Sequence, residues 1–264
     1  MYIIMDLPKK TCTRNATGYA FGSGYLNILG AIAFAINHNY IFLPTPLPGR
    51  IAHCQNGHEL NKFIGFSGYS KPNQVDIDLS YIKNPLLTSY PHRLWTPEAL
   101  RVIRKFYYIQ EKGSKCPTDI AIHIRRGDVG SEFTTRFTSN EAYREIILLL
   151  KKDYPDYSIG LYSQGDTSDF KDLLDLDVSF QLNTPLEEVF HHFVTAKILV
   201  TAKSSLSFAA GIISENIIYC IPILNWCFAL PTWKILFTEG APVPRVYRKR
   251  IEEGVDINYI SAIL

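Results

Sequence analysis

Ile120-Ala-Ile-His-Ile124, followed at once by Arg125-Arg-Gly-Asp128, is the stretch on which the fold turns. Its β-branched, near-continuous apolar run predicts a strand buried on both faces. Downstream the pattern changes period. Thr138-Ser-Asn-Glu141 reads as a capping box, and Tyr143, Ile146, Ile147 and Leu150 recur at helical spacing behind it. Tyr157 to Ser163 predicts a second strand, Ser168 to Leu176 a short helix, and Val178 to Leu182 a third strand. Thr184-Pro185-Leu-Glu187 predicts an N-cap, a proline at the first helical position and an acidic partner. Leu186, Val189, Phe190 and Phe193 form that helix's inward stripe. Ile198 to Thr201, Ser205 to Ile213 and Ile217 to Ile223 continue as strand, helix, strand. Alternation of this kind predicts a parallel sheet with helices on both faces, a doubly wound α/β domain.

The N-terminal half is less regular. Gly22 to Gly24 is expected to open a helix to about Asn37, with Ile28, Ala31, Ile32 and Ala35 inward, followed by a strand from Tyr40 to Leu43. Thr45-Pro-Leu-Pro-Gly49 breaks the pattern, and residues 50–95 read as mixed loop and short strand. Thr96-Pro97-Glu98 caps a helix to about Lys112, and Gly113 to Pro117 reads as a linker. The expected division is therefore 1–115 and 116–264, which suits a chain of 264 residues.

Composition narrows the function classes. A chain 47% hydrophobic and 20% charged can bury a core and is not disordered. Lys plus Arg is 27 against 25 for Asp plus Glu, so no basic excess points to a nucleic-acid partner. The densest basic run, Arg245 to Arg250, meets Glu252 and Glu253 at once and reads as a solvated face. Five scattered cysteines without a C-x-x-C pair suit a reduced chain. His53, Cys54 and His58 lack a second ligand pair for zinc. The apolar segment from Asn216 to Trp233 is broken by Pro222, Asn225 and Pro231, and reads as buried strand plus loop rather than a membrane span. The opening residues carry too short an apolar run for a signal peptide. A cytoplasmic location is expected, with the sequon Asn15-Ala-Thr17 unused.

Open parallel sheets bind ligands beyond the carboxyl ends of their strands. His123 and Arg125 share one side of the first strand, and Arg126, Gly127 and Asp128 follow them. A guanidinium matches phosphate oxygens bidentately, and a glycine beside it lets a ligand approach the backbone. The competing reading pairs an arginine with Asp128 as structural support; phosphate binding carries more weight, because two arginines at a buried strand's exit need anionic partners. Lys203-Ser204-Ser205, between the fourth strand and its helix, suits an anion or a plain N-cap. Asp166, in Tyr162-Ser-Gln-Gly-Asp166, suits a guanine edge or, taken alone, a cap. Phe21-Gly22-Ser23-Gly24 half-matches the dinucleotide fingerprint, but Asn27 stands at its last glycine, so hydride chemistry is disfavoured. Asp76-Ile-Asp78 reads as a strand with solvent-facing acids, and His191 and His192 as structural. Walker, nucleophile-elbow and H-E-x-x-H motifs are absent.

His123-Ile-Arg-Arg-Gly-Asp128 resembles the H-x-R-x-G-D signature of the α1,2-/α1,6-/protein O-fucosyltransferase superfamily. Gly22-Ser-Gly-Tyr25 with Leu29 to Ala35 is similar to that family's N-terminal glycine loop and helix, and Lys203 to Ala209 to its C-terminal Ser-Ser-Phe block. The resemblance covers residues 20–45 and 118–215. It implies two Rossmann-like domains of GT-B type and inverting, metal-independent transfer of fucose from GDP-fucose to a glycan or protein hydroxyl. Carried over, Arg125 binds the donor diphosphate, His123 lies by the ribose or diphosphate, and Ser204 and Ser205 bind phosphate. Asp166 matches the guanine-reading acid approximately, with Gly165 as an insertion, and Glu132 stands near the catalytic base of the α1,6 enzymes. Gly22, Ser23, Gly24, Arg126 and Lys203 complete the expected donor site, with Arg125, Asp128 and Glu132 as the catalytic set. Departures are Ser23 in place of an amide residue, Leu206 in place of an aromatic, and the missing membrane anchor, a pattern that suits compact bacterial or viral relatives. No cofactor or metal is expected. The alternatives are another donor such as UDP-xylose, or a non-catalytic nucleotide-sugar or glycan-binding protein.

Overall fold

The computed structural model describes residues 10–14, 20–49, 56–81, 94–132, 136–222, 230–238 and 257–260. The chain divides into two compact units, Met1–Glu111 and Lys112–Leu264. Expectations for Asn15-Ala-Thr17, His53, Cys54, residues 223–229 and the Arg245–Arg250 run lie outside the described residues.

The first unit holds a parallel three-stranded sheet in the order β2-β1-β3, from β1 (Thr11–Thr13), β2 (Ile41–Phe42) and β3 (Ile77–Asp78). Helix α1 (Phe21–Asn37) lies between β1 and β2 in sequence and is buried around most of its surface. Its Ala31 and Ala35 pack with Cys12 and Leu79 in a small core. Helix α2 (Gly57–Ile64) is capped by Asn56, whose side chain accepts from Glu59 N, and ends at Gly65 with φ +81°, where a side chain would be strained. Helix α3 (Pro97–Tyr107) starts at Thr96 with proline just inside, as the sequence predicts. Strand β1 and helix α2 were not anticipated from the sequence: each is short, and α2 packs through Phe63 against Tyr107 of α3, a partner remote in sequence.

The second unit is one parallel sheet in the order β10-β9-β8-β7-β4-β5-β6. Its strands are β4 (Ile120–His123), β5 (Ile159–Ser163), β6 (Ser179–Leu182), β7 (Ile198–Thr201), β8 (Ile217–Cys220), β9 (Lys234–Thr238) and β10 (Ile257–Ile260). Counted from β4, this is the doubly wound order 3-2-1-4-5-6 with one further strand. Ile120, Ile122 and Ile124 pack with Tyr143, Ile146, Ile147 and Leu150 of helix α4 (Asn140–Asp153). On the other face His123 meets Phe193 of helix α5 (Leu186–Thr195) and Ser207 of helix α6 (Ser205–Ile213). The fold is α/β with parallel sheets, as expected.

Local details correct three expectations. The cap of α4 is Ser139, which accepts from Ala142 N, because the carbonyl of Thr138 is taken by Arg126. The cap of α5 is Pro185 rather than Thr184: Pro185 itself has an extended ψ of 141°, so the first helical residue is Leu186, and no side-chain cap bond is made. The helix expected over Ser168 to Leu176 is a 3-10 helix, Thr167–Leu173, whose cap is Asp166. Strands β9 and β10 were not anticipated.

The buried histidines make one prediction. Burial pushes His123 down to about 3 and His191 down to about 4, and it also lowers His192. Unfolding lets each return toward its ordinary value near 6.5 and take up a proton, so stability is full above that value and is lost as pH falls toward the folded values. Thermal melts are expected to show the melting temperature falling between about pH 7 and pH 4.5, above the range where carboxylates titrate. A flat profile over that window would contradict the neutral, buried state of these rings.

Candidate active site

Strand order reverses direction between β4 and β7, and the two strand exits meet there. Alternation along β4 sends His123 and Arg125 toward α5 and α6. His123 is 8% exposed, and its Nδ1 lies 2.8 Å from Ser207 Oγ. Its carbonyl accepts from the buried Tyr143 hydroxyl at 3.1 Å.

Arg125 crosses from one strand exit to the other. Nε and Nη2 donate to the two oxygens of Asp128 at 3.2 and 2.6 Å, and Nη1 donates to the Lys203 carbonyl at 3.2 Å. The Arg125 and Asp128 side chains are 18% and 31% exposed, so the pair is fixed yet open to solvent. Gly127 allows this turn: its φ is +82°, and any Cβ there would collide with the Gln164 side chain.

Arg126 points to the opposite face. It donates to the carbonyls of Arg125 and Thr138 and to Asn140 Oδ1, and it stacks 4.3 Å from the Phe137 ring centre. It also lines a cavity of about 340 Å³ with Asn140, Asp169 and Asp172. Lys203 Nζ donates to the Phe137 carbonyl at 2.9 Å, and burial lowers its pKa. Arg126 and Lys203, expected as donor ligands, are thus engaged with protein oxygens, because the chain returning into α4 presents its carbonyls to them.

Ser204 caps α6 by accepting from Leu206 N, and Ser205 is the half-buried first residue of that helix. The N-terminus of α6 therefore sits beside the Lys203 carbonyl that holds Arg125. Asp166 is exposed; its Oδ1 accepts from Ser168 N at 3.0 Å, and this bond pulls the carboxylate pKa down. Glu132 is exposed, with its carboxylate folded over Gly130.

Gly22 to Gly24 open helix α1, as the sequence predicts. Gly22, Ser23 and Gly24 lie in the first turn of α1 of the first unit, where Gly24 N donates to the Ala20 carbonyl, and both glycines are buried. Asp76 accepts from Thr11 N and Oγ1 at 2.6 and 2.8 Å, and Asp78 accepts from Ser80 N. Both acids brace backbone. Among the described residues no group of three His, Cys, Asp or Glu side chains is arranged to hold a metal, and no helix is long and apolar enough to cross a membrane.

Sequence reasoning missed Ser207, Tyr143 and Gln164 as parts of this site. Tyr143 was legible only as core, and Ser207 only as a member of the Ser-Ser-Phe block.

No family model and no curated protein matches the chain. Among solved structures it is similar to the bacterial iron-containing dodecameric glycosyltransferase TibC from enterotoxigenic E. coli, with TM-score 0.48 and 13% identity over 89% of this chain. It spans 64% of that chain, less than two thirds of its length. It is also similar to POFUT1 in complex with GDP-fucose, with TM-score 0.45 and 10% identity over 86% of this chain and 99% of that one. A third is E. coli heptosyltransferase WaaC with ADP-2-deoxy-2-fluoro heptose, with TM-score 0.38 and 16% identity over 92% and 72%.

Proposed function

We propose that this chain is a glycosyltransferase of GT-B type that moves fucose from GDP-fucose to a glycan or protein hydroxyl, with inversion and without a metal. The observation that carries the reading is Arg125 at the strand-order reversal, oriented by Asp128 on one side and by the Lys203 carbonyl on the other, beside the N-terminus of α6. Departure of a nucleoside diphosphate builds negative charge on the leaving oxygens. A fixed guanidinium and first-turn N–H groups stabilise that charge without reorganising when the bond breaks. Asp166, exposed just beyond β5, accepts from a guanine edge. Glu132 takes the proton from the acceptor hydroxyl.

A thermal-shift panel of GDP, UDP, ADP and NAD tests the donor. A nucleotide that binds the native state raises its melting temperature by mass action, and GDP is expected to raise it most. Transfer is expected to persist in excess EDTA. A larger shift with UDP would reassign the donor, and a shift with NAD alone would support dehydrogenase chemistry. Loss of transfer in EDTA, restored by manganese, would overturn the metal-free mechanism.

A further inference from the structure

The hydroxyl of Ser207 is buried between three polar groups. It lies 3.1 Å from Ala202 N, 2.8 Å from His123 Nδ1 and 3.5 Å from the Ser204 carbonyl. The backbone N–H can only donate, so Oγ accepts there. Its single proton then goes to His123 Nδ1 or to the Ser204 carbonyl. At 2.8 Å the contact with the ring is near the optimum for a hydroxyl donor, while 3.5 Å is at the edge of hydrogen bonding.

We infer that Ser207 is a positioning residue that donates to Nδ1 of His123, fixing the ring as the neutral tautomer with its proton on Nε2, so that Nε2–H is the donor offered to an oxygen of a nucleoside diphosphate. The phosphate target rests on the proposed function; the tautomer does not. Nε2 makes no hydrogen bond to any described residue, although the ring is held on its flank by Phe193, centroid to centroid 5.0 Å, and the His123 backbone by Tyr143. Burial, reinforced by Arg125 and opposed by Asp128, keeps the imidazole uncharged. A neutral ring has one donor and one acceptor nitrogen. With the tautomer reversed, a bare lone pair would face the anion and repel it. The direction of one serine hydroxyl therefore decides whether His123 attracts or rejects phosphate.

Nitrogen-15 spectra of the unliganded protein at neutral pH read this directly, with His123 assigned through His123→Gln. The expected wild-type result is the Nε2–H tautomer, and Ser207→Ala is expected to give a mixture of the two. GDP titration is expected to show Kd rising roughly three- to tenfold in Ser207→Ala, the loss of one oriented hydrogen bond. A merely structural serine would lower the melting temperature and leave the tautomer ratio alone. An Nδ1–H or charged ring in the wild type, or an unchanged ratio in Ser207→Ala, overturns the inference. If the variant does not fold, the wild-type spectrum still decides. Failure of the wild type to bind GDP would overturn the phosphate target, with the tautomer read independently on the free protein.

Discussion

Arg125→Lys is expected to lose nucleotide affinity and to lower transfer by roughly 100-fold or more while the fold survives, a loss of the size seen when one preorganised donor to a developing charge is removed. Lysine keeps the charge but not the fork. It cannot hold both oxygens of Asp128 and also reach the Lys203 carbonyl, three contacts that Arg125 makes with Nε, Nη2 and Nη1. The pair is partly exposed, so its own worth to stability is about 1 kcal/mol or less. A structural role for Arg125 predicts something different: a lower melting temperature with GDP affinity and turnover unchanged. Melting curves, GDP titration and a transfer assay on one preparation separate the two. Unchanged turnover in a folded Arg125→Lys protein removes the arginine from the mechanism.

Glu132→Gln is expected to bind GDP as the wild type does and to lower turnover by roughly 100-fold or more, the range for loss of a general base. Of the two acids in the loop after β4, Asp128 is the weaker candidate. Both of its oxygens are held by Arg125, which fixes the carboxylate in place and leaves neither free to take a proton from an acceptor. Glu132 is exposed and folds over Gly130, where no side chain stands in its way. Asp128→Asn is the companion variant: it releases Arg125 and is expected to weaken nucleotide binding, which Glu132→Gln leaves alone. Wild-type turnover in Glu132→Gln would pass the proton to another carboxylate, to water or to the departing diphosphate.

The sequence by itself determined the core of the second unit. Apolar strands alternating with capped, amphipathic helices admit few arrangements other than a parallel sheet covered on both faces, so β4 to β8 and helices α4 to α6 were legible to within a few residues. It also determined which residues leave β4 and β7 at their carboxyl ends, since the exit of a strand is a matter of chain order. Gly127 was legible as a special position for the same local reason.

Only the tertiary structure decided what those residues hold. A hydrogen-bond partner is set by distance in space, and the partners here are remote in sequence: Arg125 with Lys203, Lys203 with Phe137, and His123 with Ser207. Two cations read as phosphate ligands turned inward to carbonyls, because a buried donor is bound to whatever acceptor the returning chain presents. Asp166 caps the 3-10 helix and Gly22 to Gly24 open α1, two local features that the sequence already carried. Strand β1 escaped the sequence because its three residues carry too few positions for a period to show, and the strands that pair with it, β2 and β3, are brought to it only by the fold.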